Sequence, residues 1–398
     1  MRNKLHLDVF LTALCVAGGL WLLSLIALRV DFLNPFVQSL RDFEMTDVIF
    51  SKLHPTDLAD TNIVIVNIGN LSRPDIARQI DRIYTQNPKV IALDAFFMKE
   101  KTQALDSPLV AAIDRAADKL ILISRLRYND STETFDTCLR SHPKFSAATG
   151  FANVITEEAK GHKTVRTFSP KETIDSIQEY NFAVATALKY DRSKAERFIN
   201  RNNTLEIINF RGNYQHFYTF DTDQCLDSST DLSVMREKIV LLGFMGESLS
   251  QSSLDDIFFT PLNSRPAGRT LPDMYGIVVH ANIISMILKG EYINSFPDWL
   301  ELVLNILLAY ICVWGFSYIY VHRQNWFDSI TVALQLLIPL TILFIQFYSF
   351  EQFRFKFSIS LAICAIAITA DGVEIYHEIV KNWIFRKKTP QTRESENE

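Results

Sequence analysis

The chain has 398 residues, 48% hydrophobic, 12% aromatic and 21% charged, which excludes a disordered or collagen-like polypeptide. Its 40 Lys and Arg stand against 45 Asp and Glu, a net charge of −5, so no bulk basic charge exists to hold a nucleic-acid backbone. With only 13 Gly and 13 Pro, long flexible linkers are not expected.

In chain order, residues 9–28 come first and carry no charge, over the length that crosses a hydrocarbon core. They predict an uncleaved anchor over 9–30, because the run exceeds a signal-peptide core and Ile26, Ala27, Leu28 and Arg29 do not form a small-x-small cleavage site. Residues 31–297 have room for one large globular domain. Within it, residues 62–68 are a nearly continuous apolar run, as in a strand buried on both faces. Ser72 stands as a cap before 73–86, where Ile76, Ile80 and Ile83 share one helical stripe. Residues 90–94 read as the next strand, so this strand, helix and strand predict a βαβ unit. A helix over 106–118, a strand over 119–124, a helix over 180–188 and strands over 205–210 and 238–243 complete the pattern. It is that of an α/β domain with a mostly parallel sheet.

Three further apolar runs follow, and they predict transmembrane helices over 298–321, 329–350 and 357–380. The last run meets Asp371 after about 14 residues, and its flanking charge supports a span. Arg2 and Lys4, then His322 and Arg323, then Arg386, Lys387 and Lys388 all fall on one side of a four-helix arrangement. Arg354 and Lys356 lie on the other side, accompanied by Glu351. Positive-inside counting therefore puts residues 1–8 and the polar tail 381–398 in the cytoplasm and 31–297 outside. Trp21, Trp299, Trp326 and Trp383 suit the interfacial belt, whereas Trp314 falls mid-span and needs a packing partner. The expected fold is thus an α/β extracytoplasmic domain with a mostly parallel sheet, plus four transmembrane α-helices.

Several residues carry candidate chemistry. Asp94 ends a predicted parallel strand, where open α/β sheets place ligands, and Asn67 would present its amide beside the same edge. Asp94 could equally cap the next turn. Asn209 and Arg211 precede Gly212 at another strand end; the guanidinium either forks onto an anionic ligand or closes an internal ion pair, for which Asp94 is a candidate. Residues 243–246 follow a strand but lack the Gly-Lys-Ser/Thr ending of a P-loop, so they read as a tight turn. Asp255, Asp256 and His280, with Asn282 beside it, form the one set resembling acid/base or metal chemistry. No HExxH motif and no activated Ser or Cys elbow accompanies them, so no catalytic residue, metal or cofactor is assigned. Asp371, Glu374 and Glu378 recur at helical spacing beyond the fourth apolar run and are candidates for coupling to a partner. Cys15, Cys312 and Cys364 sit in apolar runs; Cys138 and Cys225 lie outside them and either pair in an oxidising compartment or stay free.

The order of short motifs outside the spans is informative. NIVIVNIGNLS (62–72) is followed by PKVIALDAFF (88–97), GFAN (150–153), VRTFSP (165–170), NFAVATAL (181–188), IINFRG (207–212), KIVLLG (238–243), DDIFFTPL (255–262) and GIVVHAN (276–282). This series resembles the CHASE type 2 domain, an extracellular sensory domain of bacterial receptors, over roughly residues 35–297. The resemblance implies environmental sensing at the bacterial inner membrane with the large domain in the periplasm, one anchor before that domain and three spans after it. It also implies dimerisation, and an output through a cytoplasmic histidine kinase, nucleotide cyclase or Ser/Thr kinase. The acidic pair of the family after the first strand is not matched, since Gly69 and Asn70 stand there. After the last span about 20 residues remain, too few for a catalytic domain, so the expected effector is a separate cytoplasmic or membrane protein. The leading expectation is a membrane-anchored sensor of an unknown small-molecule or envelope ligand, without enzymatic activity and without nucleic acid. The alternatives are a non-catalytic structural or assembly subunit of a membrane or envelope complex, and an ectoenzyme using Asp255, Asp256 and His280.

Overall fold

The computed structural model of the chain describes residues 2–29, 47, 50, 60–129, 131–132, 134–153, 164–251, 253–263 and 271–384. These fall into two compact units, 38–294 and 1–37 with 295–398. The first boundary expected for the outer domain, at 31, lies outside the described residues, as do Arg386, Lys387 and Lys388 of the tail.

The larger unit is built on a sheet of seven strands: β1 (Ile63–Asn67), β2 (Val90–Leu93), β3 (Leu120–Asn129), β4 (Thr134–Leu139), β5 (Ala148–Phe151), β6 (Tyr218–Phe220) and β7 (Ile239–Gly243). The order is β6-β1-β7-β2-β3-β4, and β5 pairs the first half of β3. All these pairs are parallel except β3 with β4, which is antiparallel and irregular between Arg127 and Tyr128. Every residue of β1, β2 and β7 is buried, as expected for central parallel strands covered on both faces. The mostly parallel α/β sheet read from the sequence is therefore observed.

Helices α2 (Arg73–Thr85) and α3 (Gln103–Ala116) cover one face. Ile76, Ile80, Ile83, Leu109 and Ile113 pack there against Val64, Val66, Ile91, Leu93, Val240 and Leu242. Ser72 is the N-cap of α2, but its hydroxyl bonds Asp75 Oδ2 at 2.6 Å rather than a backbone N–H. Helices α4 (Phe182–Tyr190) and α7 (Gly276–Lys289) pack on the same sheet, α4 against β3 and β5 and α7 against β1 and β7. Short helices α5 (Arg192–Ile199) and α6 (Thr222–Leu226) lie between them in sequence. The segment expected as a strand over 205–210 pairs only at Glu206–Ile207, in a two-residue antiparallel ladder with Thr167–Phe168. Its continuation is tied elsewhere: Ile208 N–H donates to Arg166 O (2.8 Å), and the ring of Phe210 meets Phe50 edge-on at 6.3 Å. The sheet edge goes instead to β6, which the sequence reading did not anticipate.

The second unit contains α1 (Arg2–Arg29), α8 (Asp298–His322), α9 (Phe327–Phe353) and α10 (Ser360–Ile375). A π-helical turn, Tyr376–Val380, and a last turn, Lys381–Ile384, follow α10. Among the described residues two helices, Asp298–His322 and Gln324–Phe353, are long and apolar enough to cross a membrane, and Leu7–Leu23 is a shorter apolar helix. The fourth expected span corresponds to α10, whose 16 residues fall short of a bilayer before the π turn extends them. Polar side chains join these helices. Asn305 donates to Ser358 O (2.8 Å) and accepts from Ala362 N (2.9 Å), linking α8 to the start of α10. Gln335 on α9 donates to Ala367 O at 2.9 Å. Asp8 accepts from Tyr376 Oη (2.7 Å) and Lys381 Nζ (2.6 Å), linking α1 to the end of α10. Val16 of α1 packs directly on Gly372, where a Cβ would lie 2.6 Å from its Cγ2, the close approach that small residues permit between apolar helices. Trp314 finds its partner in Tyr318, stacked at 5.9 Å.

β7 and α7 approach each other closely in the α/β core. A Cβ on Gly243 would sit 2.5 Å from Ile277 Cβ. Gly243→Ala is therefore expected to destabilise the protein by about 1–3 kcal/mol through overpacking, read as a lowered thermal midpoint of the purified full-length chain.

Candidate functional site

Asp94 lies one residue past the carboxyl end of β2, and its N–H donates to Leu242 O of β7 at 2.8 Å. It faces a cavity of about 280 Å³ lined by Asp94, Arg125, Ala152, Asn153, Asp256, Phe258, Gly276 and His280. Four parts of the chain build it. Arg125 stands mid-way along β3, at the point where pairing passes from β5 to β4. Ala152 and Asn153 follow β5, and Asn153 clamps the neighbouring strand by accepting from Leu126 N (2.7 Å) and donating to Leu126 O (2.8 Å). Asp256 and Phe258 belong to the turn and strand of a small hairpin in which Ile257 pairs with Tyr275 and Phe258 with Met274. Gly276 and His280 come from the first turns of α7.

Asp256 is held in place by the backbone. Its φ is 52°, in the left-handed region that a non-glycine residue seldom adopts, and its carbonyl accepts from Gly276 N at 3.0 Å. The carboxylate lies over Gly276, where a Cβ would come within 2.9 Å of Oδ2. A side chain at 276 would therefore occupy the place of the carboxylate. His280 is 3% exposed, its ring meets Phe182 edge-on at 5.1 Å, and its buried Nδ1 has no hydrogen-bond partner among the described residues.

The electrostatics follow from enclosure. Burial, then repulsion from Asp256, pushes the Asp94 carboxyl up to about 7 against the pull of Arg125. Asp256 is exposed along its outer side, yet the protein crowding its carboxyl pushes it up to about 6, again opposed by Arg125. Burial lowers His280 to about 4, so its imidazole is neutral at pH 7. Among the described residues, Arg125 comes within 4.0 Å of neither carboxylate and forms no direct ion pair with them. Nor does any set of three His, Cys, Asp or Glu side chains among the described residues have a metal-holding arrangement.

The residues proposed from sequence thus separate. Asp94, Asp256 and His280 meet in one cavity. Asp255 does not line it; it is exposed and bonds Ser253, so the acid/base set of Asp255, Asp256 and His280 is not assembled. Asn67 is fully buried, and every hydrogen-bonding position of its amide is taken: Nδ2 donates to Asp221 Oδ1 (2.9 Å) and Gly246 O (3.2 Å), while Oδ1 accepts from Gly69 N and Met245 N, both at 2.9 Å. These bonds hold the turn over 243–246 as a turn. Asn209 donates to Glu291 O at 2.9 Å. Arg211 pairs with Glu291, which corrects the candidate pairing with Asp94. Asn282 accepts from Arg211 N (2.7 Å) and donates to Gly212 O and Val278 O, both at 2.9 Å, so it serves to dock that loop on α7.

The remaining candidates lie elsewhere. Cys138 and Cys225 are free thiols, against the disulfide considered for them: Cys225 is in the core beneath α2, while Cys138 packs with Leu126, Phe151 and Ile174. Burial pushes the Cys225 thiol up to about 12. Of the acidic residues in the second unit, Asp371 and Glu378 are exposed and Glu374 is half-buried. Beside them His377 stacks on Tyr320 at 4.6 Å. Arg125 was missed in the sequence, although a charge directly after the apolar run 120–124 marks a strand leaving the core. Asn153 and Phe258 stood within quoted motifs without a role.

A parallel sheet covered on both faces, with a small polar cavity beyond the carboxyl end of a central strand, places the larger unit among the open α/β domains. The family model of the CHASE2 domain matches residues 14–319, and the chain belongs to this family of extracellular sensory domains. No curated protein and no solved structure matches it.

Two predictions follow from the site. The folded Asp94 binds its proton more tightly than the unfolded one, whose carboxyl titrates near 3.8, so its contribution to stability is lost as pH rises from about 4 to about 7. His280, lowered to about 4, acts in the opposite sense below its ordinary 6.5, but it is common to wild type and variant and cancels in their difference. Asp94→Asn should therefore raise the thermal midpoint relative to wild type more at pH 8 than at pH 5. For the thiols, maleimide labelling of the denatured, unreduced protein should modify all 5 cysteines, with Cys138 and Cys225 included.

Proposed function

We propose that the chain is a membrane-anchored extracytoplasmic sensor in which the cavity around Asp94, Arg125, Asp256 and His280 binds a ligand and a separately encoded effector receives the signal. The carrying observation is a polar cavity in a sensory-domain family whose charged groups face one space without closing on each other, lined also by His280, whose buried Nδ1 has no partner among the described residues. Such groups keep their hydrogen-bonding capacity for an incoming molecule. Two of the lining residues, Gly276 and His280, stand on α7, so differential binding to two arrangements of that helix would supply the signal. In the chain α7 is followed by α8, the first of the two long apolar helices.

We read the site as a binder. Among the described residues, no hydroxyl, thiol or amine side chain lines the cavity to serve as a nucleophile, and Asp255 does not line it with Asp256 and His280. Four spans, with both termini in the cytoplasm and 31–297 in the periplasm, fit this reading: α1 and the π-extended α10 join α8 and α9 through Asp8, Gly372, Asn305 and Gln335. Reporter fusions should accordingly show residues 325 and 398 on the cytoplasmic side and residue 355 on the periplasmic side.

The deciding experiment is quantitative crosslinking and affinity purification from native membranes. It compares the full chain with a version lacking residues 298–398 but keeping the first anchor. The expected result is a stoichiometric cytoplasmic or membrane partner that is lost on truncation. A partner retained by the outer domain alone, with nothing on the cytoplasmic side, would replace the sensor with a structural role in envelope assembly.

A further inference from the structure

The cavity combines charges that no single simple ion satisfies. Asp94 and Asp256 present two carboxylates that repel each other, while Arg125 brings a guanidinium that contacts neither directly. A bare anion would pair with Arg125 but meet both carboxylates. A simple amine would pair with the carboxylates and leave Arg125 unmatched. A divalent cation would meet the guanidinium, and the described acidic and imidazole groups do not converge as ligands for it. The remaining complement carries both signs a few ångströms apart. Neutral His280 lines the same space with an imidazole only 3% exposed, whose Nδ1 has no partner among the described residues. At about 280 Å³ the space lies just below the range typical of drug-sized ligands and suits a metabolite of amino-acid size.

We infer that the site binds a small zwitterion, its ammonium between Asp94 and Asp256, its carboxylate forked onto Arg125, and His280 completing the hydrogen bonds. The inference rests on the sensor reading of the same cavity and specifies its ligand class. A planar guanidinium suits the two oxygens of a carboxylate, which is why Arg and not Lys stands opposite the aspartates. An ammonium supplies three donors, enough to engage both carboxylates at once. With one positive and one negative group on the ligand, the two aspartates share an ammonium and Arg125 gains a carboxylate of its own.

The test is calorimetric titration of the full-length chain in detergent with glycine, L-alanine, L-serine and γ-aminobutyrate. Ethylamine, sodium acetate, the methyl ester and the N-acetyl derivative of L-alanine, and calcium chloride are the comparison probes. At least one zwitterion is expected to bind, and each probe lacking one of its charges should bind about tenfold or more weakly. Arg125→Gln should remove the preference for the free acid over its ester, and Asp94→Asn the preference for the free amine over its N-acetyl form. The ester and N-acetyl comparisons use the unaltered protein, so they decide the matter even if a variant fails to fold. Ethylamine binding as tightly as the zwitterions, calcium binding in their place, or no zwitterion binding below ~10 mM would each overturn the ligand class. The sensor reading fails on a different measurement, the absence of a truncation-sensitive cytoplasmic or membrane partner.

Discussion

The burial of one helix organises the α/β unit. From Gly276 to Leu288 every residue of α7 is buried, so this helix has no solvent face and each polar group on it must be answered by protein. Asn282 is answered by the backbone of Arg211 and Gly212, and Ser285 by Asp60 Oδ2 at 3.2 Å. At its start the helix presses Ile277 into the space left by Gly243, bringing its first turns onto the carboxyl end of the sheet. His280 is the exception, since its Nδ1 has no partner among the described residues. The same residue lines the space that also holds Asp94, Arg125 and Asp256.

The same requirement explains why one edge of the sheet is closed and another open. Beyond β1 and β7 the chain folds back on itself, and the Asn67 amide uses all its capacity to tie the turns together, leaving nothing for a ligand. Beyond β2 and β3 the groups are ionisable and remain apart. Carboxylates brought out of water beside a guanidinium usually close into a pair, as Arg73 and Asp106 do between α2 and α3. Here the backbone of Asp256, fixed in a left-handed turn over Gly276, keeps its carboxylate in its own corner of the cavity. The raised carboxyls of Asp94 and Asp256 record their burial, which the pull of Arg125 offsets only in part.

In the helical unit the polar groups have the reverse role. Asn305, Gln335 and the Asp8–Tyr376–Lys381 group bond across helices, and they align elements whose remaining surface is apolar. Interhelical hydrogen bonds and close contact at small residues such as Gly372 are the forces left when the surroundings are as apolar as the helices themselves. The π turn at Tyr376–Val380 lies where this network meets Glu374, His377 and Glu378, and such turns frequently mark functional positions in helices.

What the amino-acid sequence determined by itself was local or periodic. Continuous apolar runs set β1, β2 and β7, a stripe of Ile76, Ile80 and Ile83 set α2, and long uncharged runs set α8 and α9, because burial acts on each segment according to its own spacing. The ordered motifs carried the family. Asp94, Asp256 and His280 were legible as chemistry-bearing residues, but not as neighbours. Only the tertiary structure decided that Arg125 joins them, that Asp255 does not, that Asn67, Asn209 and Asn282 are consumed by internal bonds, and that Arg211 belongs to Glu291. The physical reason is that a hydrogen-bond partner or a shared desolvated space depends on which distant backbone segments the sheet order brings together. A pairing such as β7 between β1 and β2 leaves no trace in the spacing of any one segment.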